Sequence, residues 1–150
     1  MAITIKNKKA RHDYHIIDSF ETGIELKGSE VKSLRQGKAN LKDSFAKIKN
    51  REIFLYNFHI SPYENSSVFN HEPERVRKLL MHKTEIRKLD TKLKQGGYTL
   101  VPLKVYFNNK GTAKIELALA KGKKLYDKRE TAAKKDFERK IKKNIKFEGM

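Results

Sequence analysis

Lys32 and Arg35 flank an apolar pair, Val31 and Leu34, in the stretch 28–44. Val31 and Leu34, three apart, share one helical face and require a core beneath them. The two cations then form a rim on a small apolar foot, a way of presenting charge to phosphates. Ser29 offers an N-cap, Glu30 suits the positive end of the helix dipole, and Gly37 supplies the left-handed residue that stops a helix. Beyond it Lys38, Asn40 and Lys42 alternate with Ala39 and Leu41, the period of a half-buried strand. Other chemistry finds no owner. His12-Asp13-Tyr14-His15 suggests acid–base or metal work, but in a strand His12 and His15 point to opposite faces, and no third ligand stands at metal spacing. His59, His71 and His82 are isolated, and phosphate-loop, nucleophile-elbow and zinc-protease motifs are missing. Without paired carboxylates in an apolar setting the sequence reads as non-enzymatic, with no cofactor and no metal.

The charge of the whole chain favours a polyanionic partner. There are 35 Lys+Arg against 18 Asp+Glu, a formal net charge of +17, and a compact domain holding that much like charge repels itself. Nucleic acid is the first expectation and an anionic membrane surface the second. No segment approaches the ~18 apolar residues a membrane span needs, and residues 1–20 lack the apolar run of a signal peptide. With no cysteine, disulfides and thiolate metal sites are excluded, which suits a reducing, cytoplasmic setting.

The elements that must position these cations read as mainly β with inserted helices. Residues 1–9 are a lead-in. Residues 14–20 make a strand, Glu21-Thr22-Gly23 a turn, and residues 24–27 the partner strand. Strands over 39–49 and 53–60 are joined by Asn50-Arg51-Glu52, short enough for a hairpin. Residues 61–70 form a polar loop. Pro73 opens a helix carrying Val76, Leu79 and Leu80, and a second stripe, Ile86, Leu89 and Leu93, ends at Gly96-Gly97. Arg75, Arg77, Arg87 and Lys88 decorate the outside of this helical pair. Val101, Leu103, Val105 and Phe107 alternate, as do Ala113, Ile115, Leu117 and Leu119, with turn residues between them. Pro102 belongs at an edge or a bulge. The pattern argues for a small antiparallel barrel of the oligonucleotide-binding (OB) type over residues 1–120.

Residues 121–150 carry +7 of the net charge, with too few apolar side chains to offset ordering entropy alone. Asp127 to Glu130 has the form of a capping box. Glu130 with Lys134, Asp136 with Lys140 and Glu138 with Lys142 are acid–base pairs in the favourable order, and Phe137, Ile141 and Ile145 form a thin stripe. This is a basic C-terminal tail, disordered when free and helical when bound.

Six motifs in order resemble the small protein B family, the tmRNA-binding proteins of bacterial ribosome rescue. They are residues 7–14 (Asn-Lys-Lys-Ala-Arg-His-Asp-Tyr), residues 20–26 (Phe-Glu-Thr-Gly-Ile-Glu-Leu), the stretch 28–44, residues 77–80 (Arg-Lys-Leu-Leu), residues 97–103 (Gly-Tyr-Thr-Leu-Val-Pro-Leu) and residues 122–129 (Gly-Lys-Lys-Leu-Tyr-Asp-Lys-Arg). The resemblance implies an OB-like barrel that binds the tRNA-like end of tmRNA (SsrA RNA) and stands in for its missing anticodon arm in a stalled 70S ribosome. Elongation factor Tu would deliver the alanyl-tmRNA complex, and the free protein would be a monomer. Asn7, Lys8, Arg11, His12, Lys32, Arg35 and Lys38 would lie on or near the tmRNA surface. Glu21 and Leu80 match family residues tied to that surface, and by chemistry Glu21 orients a neighbour rather than touching phosphate. Lys123, Lys124, Tyr126, Asp127, Lys128 and Arg129 would face the 30S decoding centre, and the rest of the tail would enter the empty mRNA channel. Many relatives carry histidine where this chain has Tyr126, which can stack on a base but cannot gain a proton near neutral pH. Ser29 replaces a bulkier residue of some members. The rival readings are a structural ribosomal protein and an RNA-processing nuclease.

Overall fold

A computed structural model describes residues 3–63 and 70–122. Its elements in chain order are β1 (Thr4–Lys6), α1 (Lys8–Asp13), β2 (Tyr14–Ile24), α2 (Gly28–Arg35), β3 (Ala39–Asn40), β4 (Phe45–Lys49), β5 (Glu52–Tyr56), β6 (His59–Ile60), β7 (Arg77–Leu80), α3 (Lys83–Lys94), β8 (Thr99–Phe107) and β9 (Ala113–Gly122). The antiparallel pairings run β8–β4–β5–β7–β2–β9 and return from β9 to β8, so six strands close a ring with an OB-like pattern. β1 occupies the part of the β8 edge around Val105, and β4 meets β8 at Leu100. β3 and β6 form a separate two-stranded ladder.

The alternating strands fill this ring. Ile53 and Leu55, Leu100 and Val105, and Ile115 and Leu117 all point into one core. α2 sits at the end of the barrel where β8 turns into β9, because Arg35 reaches Phe107 and the Gly111 carbonyl. α3 covers the opposite end, its Leu89 and Lys92 bordering a groove with Phe20 and Leu119. α1 packs on the outside of the wall, where Ala10 meets Val101, Leu103, Ala118 and Ala120.

Several expectations hold. Asn50 and Arg51 adopt φ of 53° and 66°, the left-handed pair that a tight hairpin between β4 and β5 requires. Gly37 ends the α2 segment at φ 73°. The β8–β9 register shifts between Pro102 and Lys104, the bulge a strand proline calls for.

Others are corrected. The lead-in contains β1 and the start of α1, so His12 is helical and His15 is in a strand. Residues 14–24 form one strand without a turn at Glu21-Thr22-Gly23, because β9 continues to pair with β2 through Glu21, Thr22 and Gly23. The 39–49 strand splits into β3 and β4. Asp43 turns left-handed at φ 64°, Asn40 Oδ1 accepts the Lys42 N–H, and the Ser44 hydroxyl donates to the Leu41 carbonyl. The 53–60 strand splits likewise at Asn57, φ 63°. The helix expected after Pro73 is instead β7, bonded between β5 and β2. Its burial alternates, with Arg77 and Leu79 inward, and tertiary pairing overrides a helical spacing that only three apolar residues supported. Most of the 61–70 loop and the tail helix lie outside the described residues, while β9 runs to Gly122, two residues past the expected end of the barrel.

Candidate nucleic-acid interface

Asn7 builds the first cationic ledge. Its side-chain oxygen accepts the Ala10 N–H at 3.1 Å, capping α1, while Nδ2 donates to the carbonyls of Pro102 at 2.9 Å and Leu41 at 3.2 Å. Asn7 is therefore buried and committed to the protein. What it holds is a helix whose Lys8, Arg11 and His12 are exposed, with His12 Nδ1 2.9 Å from Asp13. Lys9 bridges to Asp43 at 2.9 Å and ties α1 to the turn before β4.

The second ledge is α2, and its anchor is a buried ion cluster. Glu30 Oε2 accepts from Arg77 Nε at 2.7 Å and from Arg75 Nε at 3.0 Å. Its Oε1 accepts from Arg75 and from the Lys27 backbone N–H, each at 2.7 Å. Glu30 is thus a fully buried tie rather than a surface partner of the helix dipole, and Arg77 is buried rather than decorating the outside. Burial alone would raise the Glu30 carboxyl, but the Arg75 hydrogen bond, the Lys27 N–H and Arg77 hold it below its ordinary value. Ser29 does not cap the helix. Its hydroxyl donates to His71 Nδ1 at 2.8 Å while His71 Nε2 donates to the Ile60 carbonyl at 2.8 Å, a second tie between α2 and the barrel.

With Leu34 buried and Val31 packed on the core, Lys32 and Arg35 rise to the surface as the sequence requires. The Arg35 guanidinium lies 4.6 Å from the centre of the Phe107 ring and donates to the Gly111 carbonyl at 3.2 Å. The ring attracts the cation and helps to hold it in place at the surface. Lys32 Nζ stands 5.5 Å from the Tyr63 ring. Lys38 is half-buried and follows directly after Gly37.

The two ledges are connected through intervening segments. A Cβ on Gly37 would lie 3.9 Å from Ile3, just ahead of β1, and β1 leads into Asn7, which bonds Leu41 beyond the end of α2. The structure thus brings Lys8, Arg11, His12, Lys32, Arg35 and Lys38 onto elements joined through β1 and the 38–44 segment. Glu21 lies on the outer face of β2 and accepts the Tyr106 hydroxyl. Burial, then Glu21 itself, pushes the Tyr106 hydroxyl up to about 12. Leu80 is exposed on β7 and pairs with Gly23, where a Cβ would stand 3.2 Å from the Leu80 Cβ. Lys123, Lys124, Tyr126, Asp127, Lys128 and Arg129 lie outside the described residues. Their point of departure is fixed: Gly122 pairs with Tyr14, the residue after α1.

Reading the sequence missed the Glu30–Arg75–Arg77 cluster, the His71 tie and Tyr106. One signal was available: Glu30 is four residues before Leu34, on the same helical face as a core residue. Among the described residues no group of three His, Cys, Asp or Glu could hold a metal ion, and no helix is long and apolar enough to cross a membrane.

Residues 4–147 match the SmpB protein family. The chain is 59% identical over 144 residues to the SsrA-binding protein of Pelotomaculum thermopropionicum, covering 96% of this chain and 94% of that one. It is 61% identical over 144 residues to the SsrA-binding protein of Carboxydothermus hydrogenoformans, covering 96% of each. A chain of the solved structure "tmRNA-SmpB: a journey to the center of the bacterial ribosome" superposes with a TM-score of 0.68 at 53% identity, over 80% of this chain and 84% of that one.

Proposed function

The chain belongs to the SmpB protein family, and from that premise we propose that it binds tmRNA and, with it, rescues stalled ribosomes by trans-translation. The observation that carries this reading is the pair of cationic ledges, α1 and α2, each set by a buried polar anchor and joined through β1. A surface built that way keeps its cations in place before RNA arrives, so little ordering is needed on binding. Lys8, Arg11, His12, Lys32, Arg35 and Lys38 contact the tRNA-like end of tmRNA. Asn7 acts through α1, and Leu80 lies at the margin of the footprint.

The body, residues 1–120, is the RNA-binding unit and residues 121–150 are the ribosome-sensing unit. Lys123, Lys124, Tyr126, Asp127, Lys128 and Arg129 face the 30S decoding centre, and the segment beyond them occupies the empty mRNA channel. Because the chain leaves the barrel beside Tyr14, the tail starts from the α1 side of the body. The protein performs no bond chemistry and needs no cofactor. It is a cytoplasmic monomer when free, and elongation factor Tu delivers it with alanyl-tmRNA.

Recovering and sequencing the RNA bound to the protein in cells tests this reading. One dominant tmRNA supports it. Bulk ribosomal RNA points to a structural ribosomal protein, and cleaved fragments point to a nuclease; either overturns it.

A further inference from the structure

Outside the two ledges, one row of side chains crosses four strands of the barrel wall in direct register. Lys6 on β1 stands opposite Lys104 on β8, Lys104 opposite Glu116 on β9, and Glu116 opposite Glu21 on β2. The row therefore reads two cations and then two anions, with like charges directly opposite at both ends, an arrangement that costs stability in a sheet. Part of that cost is relieved within the row. Lys104 Nζ is 4.0 Å from Glu116, and Glu21 accepts the hydroxyl of Tyr106. The Tyr106 ring in turn lies under Lys104, whose Nζ is 5.3 Å from the ring centre. Lys104 remains 41% exposed and Lys6 is exposed beside it. The cationic half runs directly into α1, because Lys6 is followed by Asn7, whose N–H donates to the Leu103 carbonyl at 2.8 Å.

We propose that Lys6 and Lys104 are a further phosphate-binding pair at the edge of the RNA footprint, and that Glu21 supports RNA binding without touching RNA, by pinning the Tyr106 ring on which the Lys104 ammonium rests. This rests on the tmRNA reading above and names additional residues that serve it. A phosphate between the two ammonium groups relieves their repulsion, so the strained pair is least costly when RNA is bound. The anionic half bounds the footprint on its other side, since a phosphate placed over Glu116 and Glu21 would be repelled.

The test measures the affinity of the full-length protein for the tRNA-like domain of tmRNA across a salt series. Lys104→Ala is expected to weaken binding and to make the slope of log affinity against log salt shallower by about 0.7–0.9. Lys94→Ala on α3 removes the same charge at the other end of the barrel and is expected to leave the slope nearly unchanged. Glu21→Ala raises the net charge, which by long-range attraction alone would tighten binding; the proposal requires weakening, by about threefold or more. Tyr106→Phe, which changes no charge, is expected to weaken binding when Lys104 is present and to add little in a Lys104→Ala background. A Lys104→Ala variant that matches Lys94→Ala, or a Tyr106→Phe loss that persists in full without Lys104, overturns the inference while leaving the tmRNA reading intact. Failure of the unsubstituted protein to bind the tRNA-like domain overturns both.

Discussion

Glu30 and Arg77 form a hydrogen-bonded ion pair, 2.7 Å between Oε2 and Nε, in which neither side chain has exposed surface. A pair of that kind is costly to assemble and costlier to break, because removing one member strands the other charge in the interior. Here it joins α2 to β7, so the position of Lys32 and Arg35 depends on it. Arg77→Met is expected to lower the unfolding free energy by about 3–5 kcal/mol, read from urea denaturation. Glu30→Met combined with Arg77→Met should recover part of that loss, although Arg75 then lacks its partner. A single variant within about 1 kcal/mol of the unsubstituted protein would show that the cluster is not the anchor.

The same carboxyl sets an acid limit. Its pKa in the fold is lowered from 4.5 by Arg75, the Lys27 N–H and Arg77, against the opposing effect of burial. A depressed carboxyl contributes its full stabilisation above the unfolded value and loses it as pH falls through the folded one. The stability difference between the unsubstituted protein and Glu30→Gln should therefore be constant near neutral pH and shrink below about pH 4.5. A difference independent of pH down to acid unfolding would contradict this.

Replacing Lys32 and Arg35 together by Ala should weaken tmRNA binding without unfolding the barrel, since Val31 and Leu34 keep α2 seated. The salt dependence should become shallower by about 0.9 log units for each phosphate that is no longer neutralised. Arg35→Lys keeps the charge but gives up the guanidinium contact with the Phe107 ring, so it should recover the slope more fully than the affinity. Unchanged affinity and slope in the double variant would make α2 scaffold.

Asn7 offers a test free of charge effects. Asn7→Ala removes the α1 cap and the donors to Leu41 and Pro102, at a cost of about 1–3 kcal/mol. With the barrel still folded, tmRNA affinity should fall because Lys8, Arg11 and His12 lose their fixed platform. Full affinity in a folded Asn7→Ala protein would remove α1 from the interface.

What could be read from the chain, and what could not, follows from where the information lies. The β8–β9 hairpin was legible because its alternation is long and its turn residues are specific. The α2 foot was legible because Val31 and Leu34 are bracketed by Gly28 and Gly37. β7 was not, since four residues carry too little pattern and its partners, Ile53 and Gly23, are far away in sequence. The purpose of Glu30 was hidden for the same reason: Arg75 and Arg77 are more than forty residues downstream. The chemistry of Glu21 suggests an orienting role, but only the β2–β9–β8 register brings it to Tyr106. The strand reading of His12 and His15 gives way to a helical His12 and an extended His15, because α1 ends at Asp13.

The proposed function divides the labour between body and tail, and truncation separates the two. A protein ending at Gly122 retains every described element through β9 and gives up six net positive charges with residues 123–150, since Lys121 stays. Tagging of nascent chains on stalled ribosomes is then compared with the full-length protein, at concentrations where tmRNA is saturated in both cases. Near-complete loss of tagging is expected despite saturated tmRNA, with at most a modest loss of affinity from the missing charge. Replacing Tyr126, Asp127 and Arg129 together should lower tagging in the same way. Normal tagging by the truncated protein whenever tmRNA is saturated would contradict this division and reduce the tail to an electrostatic anchor.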